Sequence, residues 1–250
     1  MTTTLPITNE LKEHLPRLTP GCNYTTRFAL NLARINPAKS LAVLDIPSGK
    51  GLKTFELANL LPNADIVACD SNLGHLRFIN QKKKSVQNQR IHTLHTDFKK
   101  LPFADGVLDL IWSEDPVPGF TLKESLEQWR DILSKNGVVI AARLTWITDE
   151  RPEELDTFWT SEYPDIDTTS GNIRTIEEAG YQPLGQLMFP RHAWKENYYE
   201  PFIENSLNFL RNHKGNSEAV DFVNKVFKEM NTYNRYNGYY NYVYYIMKKI

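Results

Sequence analysis

Four polar turns stand out in the first half of this 250-residue chain. Asp45 lies in VLDIPSGKG, Asp70 in VACDSN, Asp97 in HTDFKKLPF, and Ser113-Glu114-Asp115 in LDLIWSED. Each closes or follows a short β-rich run, so parallel strands would carry all four to one rim of a sheet. In open parallel sheets, ligands bind beyond that rim. The first turn adds backbone chemistry: Gly49 and Gly51 permit positive φ and close approach of a ligand. The helix after it would offer unpaired N–H groups to a carboxylate or phosphate. Asp70 can accept the hydroxyls of a ribose. Pro47 occupies the slot where nucleotide-binding loops commonly have their first glycine. Its ring fixes φ and removes one N–H donor, which a working loop tolerates if that N–H touches nothing. Taken singly, each carboxylate serves equally well as a helix N-cap or turn residue, and turns with two glycines are common.

The elements that must position these residues alternate regularly after residue 40. Strands are expected over 41–46, 64–69, 91–95, 107–112 and 138–144, with helices over 52–61, 73–85 and 122–134 between them. The last helix has Leu122, Leu126, Trp129 and Leu133 on one face, and Lys135-Asn136-Gly137 as its C-terminal stop. Strands separated by single helices imply an α/β fold with a doubly wound, mostly parallel sheet. Beyond residue 146 the alternation lapses. An inserted helix with loops is expected over 147–171, a helix over 174–179 and a strand over 181–189. Helices around 198–211 and 218–233 follow, then a closing strand over 239–248 whose tyrosines pack both faces. Two helices over 7–38 precede the sheet. The chain reads as one domain, 1–250.

Composition excludes several classes. A net charge of -1 with 41% hydrophobic residues describes a soluble globular protein. It lacks the basic stripe that nucleic-acid partners require. No apolar run reaches membrane-spanning length and residues 1–20 lack a basic-then-apolar signal, so a cytoplasmic protein is expected. Cys22 and Cys69 read as free thiols, and no cluster has metal-ligand spacing.

The series VLDIPSGKG, VACDSN, TDFKKLPF and LDLIWSE resembles the motif series of class I S-adenosylmethionine-dependent methyltransferases. The resemblance extends over roughly residues 20–250. WSEDPVPGF, TWITDERPEELDTFWTSEYPDID, the AGYQP turn and FPRHAWKENYYEP are similar to a bacterial group taken to be small-molecule methyltransferases. It implies a seven-stranded Rossmann-like sheet with an antiparallel strand near the C-terminus. It also implies an N-terminal helical lid (1–38), a cofactor half (39–145) and a substrate side (146–250). By position, Asp45, Pro47, Ser48, Gly49 and Gly51 would shape the loop around the methionine part of the cofactor. Asp70 would take the ribose hydroxyls, with Ser71 and Asn72 beside the adenine, and Asp97 and Phe98 would address the adenine amine and face. Ser113 and Glu114 would lie under the sulfonium.

Methyl transfer from a sulfonium needs alignment and exclusion of water more than acid–base chemistry. Glu114 is the first candidate for a base, or for a fixed charge favouring the sulfonium or a cationic substrate. His192 is the second titratable candidate. Tyr24, Trp146, Trp194, Tyr198 and Tyr199 could wall a small-molecule pocket, with core packing as the competing explanation. A nicotinamide-dependent oxidoreductase fits less well, because the loop lacks the third glycine of the dinucleotide pattern. A non-catalytic nucleoside-binding protein on the same scaffold is the remaining alternative.

Overall fold

The computed structural model describes residues 10–11, 15–114 and 116–250; Asp115 and most of the first helix expected within 7–38 lie outside the described residues. The apolar runs pair into a single sheet of β1 Ala42–Asp45, β2 Asp65–Asp70, β3 Ile91–His95, β4 Leu108–Ser113, β5 Leu133–Trp146, β6 Asp167–Thr168, β7 Tyr181–Met188 and β8 Tyr240–Lys249. The order is β3-β2-β1-β4-β5-β8-β7, with β6 beside β5. β1 to β5 run parallel, while β8 is antiparallel to both β5 and β7. The strand order reverses between β1 and β4, which opens a crevice at their carboxyl ends.

Helices cover both faces: α1 Asn23–Leu32, α2 Leu52–Leu60, α3 Leu73–Ser85, α4 Leu122–Ile132, α5 Glu153–Glu162, α6 Thr169–Glu178, the short α7 Arg191–Trp194, α8 Glu200–Asn212 and α9 Ser217–Tyr236. Side chains alternate across each strand, so two cores form. On one face Val43, Ile66, Leu110, Trp112 and Ile140 pack with Tyr240, Tyr242 and Tyr244. On the other, Leu44, Ile46, Cys69, Ile111 and Val139 pack with Tyr245 and Met247. The tyrosines of β8 therefore do serve both faces. Cys22 and Cys69 are buried free thiols.

Several boundaries differ from expectation. The helix predicted to 134 stops at Ile132, because Leu133 turns extended, pairs with Leu108 and is fully buried. Lys135-Asn136-Gly137 therefore lies inside β5, where Asn136 takes a φ of 66° at an irregularity in the pairing. The helix expected from 174 starts at Thr169, since the Thr168 hydroxyl accepts the Gly171 N–H and caps it. The inserted region also contributes β6, an eighth strand that two residues form against Thr145 and Trp146.

Candidate active site

The loop after β1 is held by its own backbone. Ser48 N–H donates to the Cys69 carbonyl at 2.8 Å, and Gly51 N–H to the Ser48 carbonyl at 2.9 Å. Gly49 and Gly51 take φ of 52° and 79°, the region that favours glycine, and the Ile46–Pro47 peptide bond is cis. A Cβ on Gly51 would meet Ile79 Cγ1 at 2.6 Å. The buried Ser48 hydroxyl has no partner among the described residues, although it lines the cavity above the loop. An orphaned hydroxyl facing a cavity is what a ligand site leaves behind when its ligand is absent.

Asp70, at the end of β2, ties this loop to the next. Its Oδ2 accepts the Gly49 N–H at 2.8 Å; its Oδ1 accepts the Asn72 N–H at 2.8 Å and lies 3.3 Å from His75 Nδ1. A carboxylate has about four acceptor sites, so Oδ2 keeps acceptor capacity beyond the Gly49 N–H. Asn72 caps α3 through the Gly74 N–H, and the Ser71 carbonyl lies 3.0 Å from His95 Nε2. Asp97 is exposed and accepts the Lys99 N–H, while the Phe98 ring is buried in the core under α4.

Beneath the loop, burial raises the Asp45 carboxyl to about 7, opposed by the hydrogen bond that Thr54 Oγ1 donates at 2.6 Å. Glu114, one residue past buried Ser113, is the hub of an ion cluster. It lies 3.4 Å from Arg17 Nη1 and 3.3 Å from Lys53 Nζ, and it accepts the Tyr244 hydroxyl at 2.7 Å. Lys53 also reaches Glu56 at 2.8 Å.

Residues 15–22 form a strap across the loop. Lys50 Nζ donates to the Leu15 carbonyl at 2.8 Å, Gly21 N–H to the Ala193 carbonyl at 3.2 Å, and Asn197 Nδ2 to the Gly21 carbonyl at 2.8 Å. A Cβ on Gly21 would lie 2.4 Å from Arg17 Nη1 and 2.6 Å from Glu114 Oε1, so those side-chain ends would have to shift. Under the strap the cavity holds only about 50 Å³, bounded by Arg17, Asp45, Ser48, Gly49, Lys53 and Glu114. Small-molecule sites run to roughly 300–1,000 Å³. The donor set fits an amino acid joined to a nucleoside, and the strap would have to lift to admit one.

The remaining predicted residues scatter. His192, on α7, is half-buried and lines none of the cavities near the loop. Tyr24 is exposed and leans on Phe28, 6.0 Å between ring centroids. Trp146, Trp194 and Tyr199 are core residues: Trp194 stacks on Tyr233 at 4.6 Å and donates to Asn241, and Tyr199 donates to Glu229 at 3.0 Å. Tyr198 lines a cavity of about 340 Å³ shared with Phe158, Trp159 and Glu229. Arg17, Lys53, His75 and Tyr244 are site residues that sequence reasoning missed. Arg17 and Tyr244 meet Glu114 across long stretches of chain, so no local pattern marks them.

This sheet order with an antiparallel β8, and this loop between β1 and α2, define the fold of class I S-adenosylmethionine-dependent methyltransferases. A family model described as a methyltransferase domain matches residues 43–137. Malonyl-[acyl-carrier protein] O-methyltransferase of Legionella pneumophila is 27% identical over 120 residues, 48% of this chain and 40% of its own length. The chain thus spans less than half of that relative. A methyltransferase from Geobacter sulfurreducens, solved with S-adenosyl-L-homocysteine, superposes with a TM-score of 0.82 over 100% of both chains at 13% identity. The [4+2]-cyclase SpnF superposes at 0.77, with 11% identity, over 98% of this chain and 91% of its own. At such identities the likeness is one of fold.

Proposed function

We propose that this protein transfers a methyl group from S-adenosylmethionine to a small-molecule acceptor by in-line displacement. The observation that carries the reading is the loop itself: two positive-φ glycines, an orphaned Ser48 hydroxyl and the Gly49–Asp70 brace at the crevice where β1 and β4 diverge. Asp45, Pro47, Ser48, Gly49 and Gly51 would cradle the methionine part, with the N-terminus of α2 facing its carboxylate. Asp70 would hold the ribose, Ser71, Asn72 and Asp97 the adenine edge, and Ser113 the floor beneath the sulfur. When bound, the cofactor supplies an electrophilic methyl group on a positively charged sulfur.

The chain's own groups then align and enclose. Arg17, Lys53 and Tyr244 occupy both oxygens of Glu114. A base needs a free lone pair aimed at the acceptor, so Glu114 suits the role of a fixed charge beside the sulfonium better than that of a proton acceptor. The strap would exclude water once closed over the bound cofactor. Incubation with methyl-labelled cofactor and a small-molecule extract tests the reading. A labelled product accompanied by S-adenosylhomocysteine is expected. Tight cofactor binding with no label passed to any extract would favour the non-catalytic nucleoside binder instead.

A further inference from the structure

Beside the loop that follows Glu114 lies a cavity of about 460 Å³, walled by Pro116, Val117 and Phe120 on one side and Tyr163, Pro164 and Tyr242 on the other. It meets the cofactor loop's cavity at Thr19, which lines both. A chain of aromatic side chains links it to the ion cluster. Tyr242 lies 3.3 Å from Tyr163, hydroxyl to hydroxyl, and its ring centroid is 5.8 Å from that of Phe189. Phe189 lies 4.7 Å from Tyr244, which donates to Glu114.

The charged residues lining this cavity are Glu124, Glu162 and Asp165, and among the described residues no Lys, Arg or His joins them. The hydrogen bonds to each carboxylate converge on one oxygen. Glu124 Oε2 takes the Thr121 N–H and hydroxyl, Glu162 Oε2 takes Lys225 at 2.6 Å, and Asp165 Oδ2 takes buried Arg143 and the Leu122 N–H. Three carboxylates beside Phe120, Tyr163 and Tyr242, with the cations that pair with two of them lying outside the lining, complement an N–H-bearing cation with an apolar body.

Resting on the methyltransferase reading above, we infer that this cavity takes the acceptor, and that the acceptor is an organic amine that enters as its ammonium form. After the ammonium releases a proton to water, its lone pair forms the new N–C bond as the S–C bond breaks, and that bond's electrons stay on sulfur. The methylated ammonium then loses a second proton to solvent unless it is already quaternary.

Titration calorimetry with phenethylamine, 2-phenylethanol and 3-phenylpropanoate, each with and without saturating S-adenosylhomocysteine, tests this. Phenethylamine should bind at least tenfold more tightly than the alcohol, and the carboxylate should be weakest. Exposed Glu162→Gln should cut amine affinity about threefold to tenfold without lowering Tm. Amine preference with no binding of the homocysteine form would uphold the cavity and refute the methyltransferase reading. Binding of the homocysteine form with no preference for the amine, or no heat from any probe, overturns the inference while leaving that reading in place.

Discussion

The Gly49 amide donates to Asp70 Oδ2 at 2.8 Å, so the residue that ends β2 braces the glycine loop that follows β1. One carboxylate thereby shapes the loop and still keeps acceptor capacity for a ligand. Replacing it with alanine removes both. Asp70→Ala should weaken adenosylmethionine binding at least tenfold, about 1.4 kcal/mol or more. Asp70→Asn, which keeps one oxygen, should fall between. His75→Ala should weaken binding little, or tighten it, because that ring competes for Oδ1. Calorimetry on the three variants separates these outcomes, and unchanged affinity in Asp70→Ala would remove Asp70 from the site.

Glu114 carries a structural load as well as a proposed functional one. Glu114→Ala leaves buried Arg17 and Lys53 short of a counter-charge, at a cost of about 3–5 kcal/mol. Tyr244→Phe removes one hydrogen bond to the same carboxylate and should cost about 1 kcal/mol. Urea unfolding at neutral pH measures both. The reverse ranking would mean that the ion cluster contributes no net stability.

Burial raises Asp45 to about 7, and it raises Glu229 to about 7 as well, against the Tyr199 hydrogen bond. Between roughly pH 4 and 7 the folded protein holds protons there that the unfolded chain has released. Folding is then disfavoured as pH rises through that window, and the full penalty is present above 7. Asp45→Asn keeps an acceptor for Thr54 but cannot ionise. Relative to the parent, it should gain a few kcal/mol between pH 4 and pH 8. Stability curves for the two proteins across that range check the sign; a constant difference would place the Asp45 carboxyl in its ordinary range.

Gly51 combines a φ of 79° with a neighbour that leaves no room for a Cβ. Gly51→Ala should cost about 1–3 kcal/mol and lower cofactor affinity with it. Gly106 has a φ of 70° with open space around it, so Gly106→Ala should cost less. Thermal melts of the pair separate backbone strain from the clash with Ile79.

Much of this was legible in the residues. β3 and α3 match their expected spans, since IHTLH is bounded by polar turns and Asn72 supplies an N-cap before Leu73. The loop glycines take the positive φ that their spacing suggested. What the chain did not announce depends on distant pairings. Leu133 leaves its helix because Leu108 offers it a strand partner. Trp146 and Trp194 look like pocket walls in sequence, yet the aromatic layer of β8 absorbs them. Arg17 reaches Glu114 only because the strap crosses the loop, and nothing local to Arg17 records that crossing.

The central claim is that this loop grips a sulfur-linked nucleoside. Titration calorimetry of the purified protein with S-adenosylmethionine and with S-adenosylhomocysteine tests it most directly. Saturable heat at one site per chain is expected for both, with slow binding while the strap lifts. Absence of heat from either compound at millimolar concentration would contradict the account.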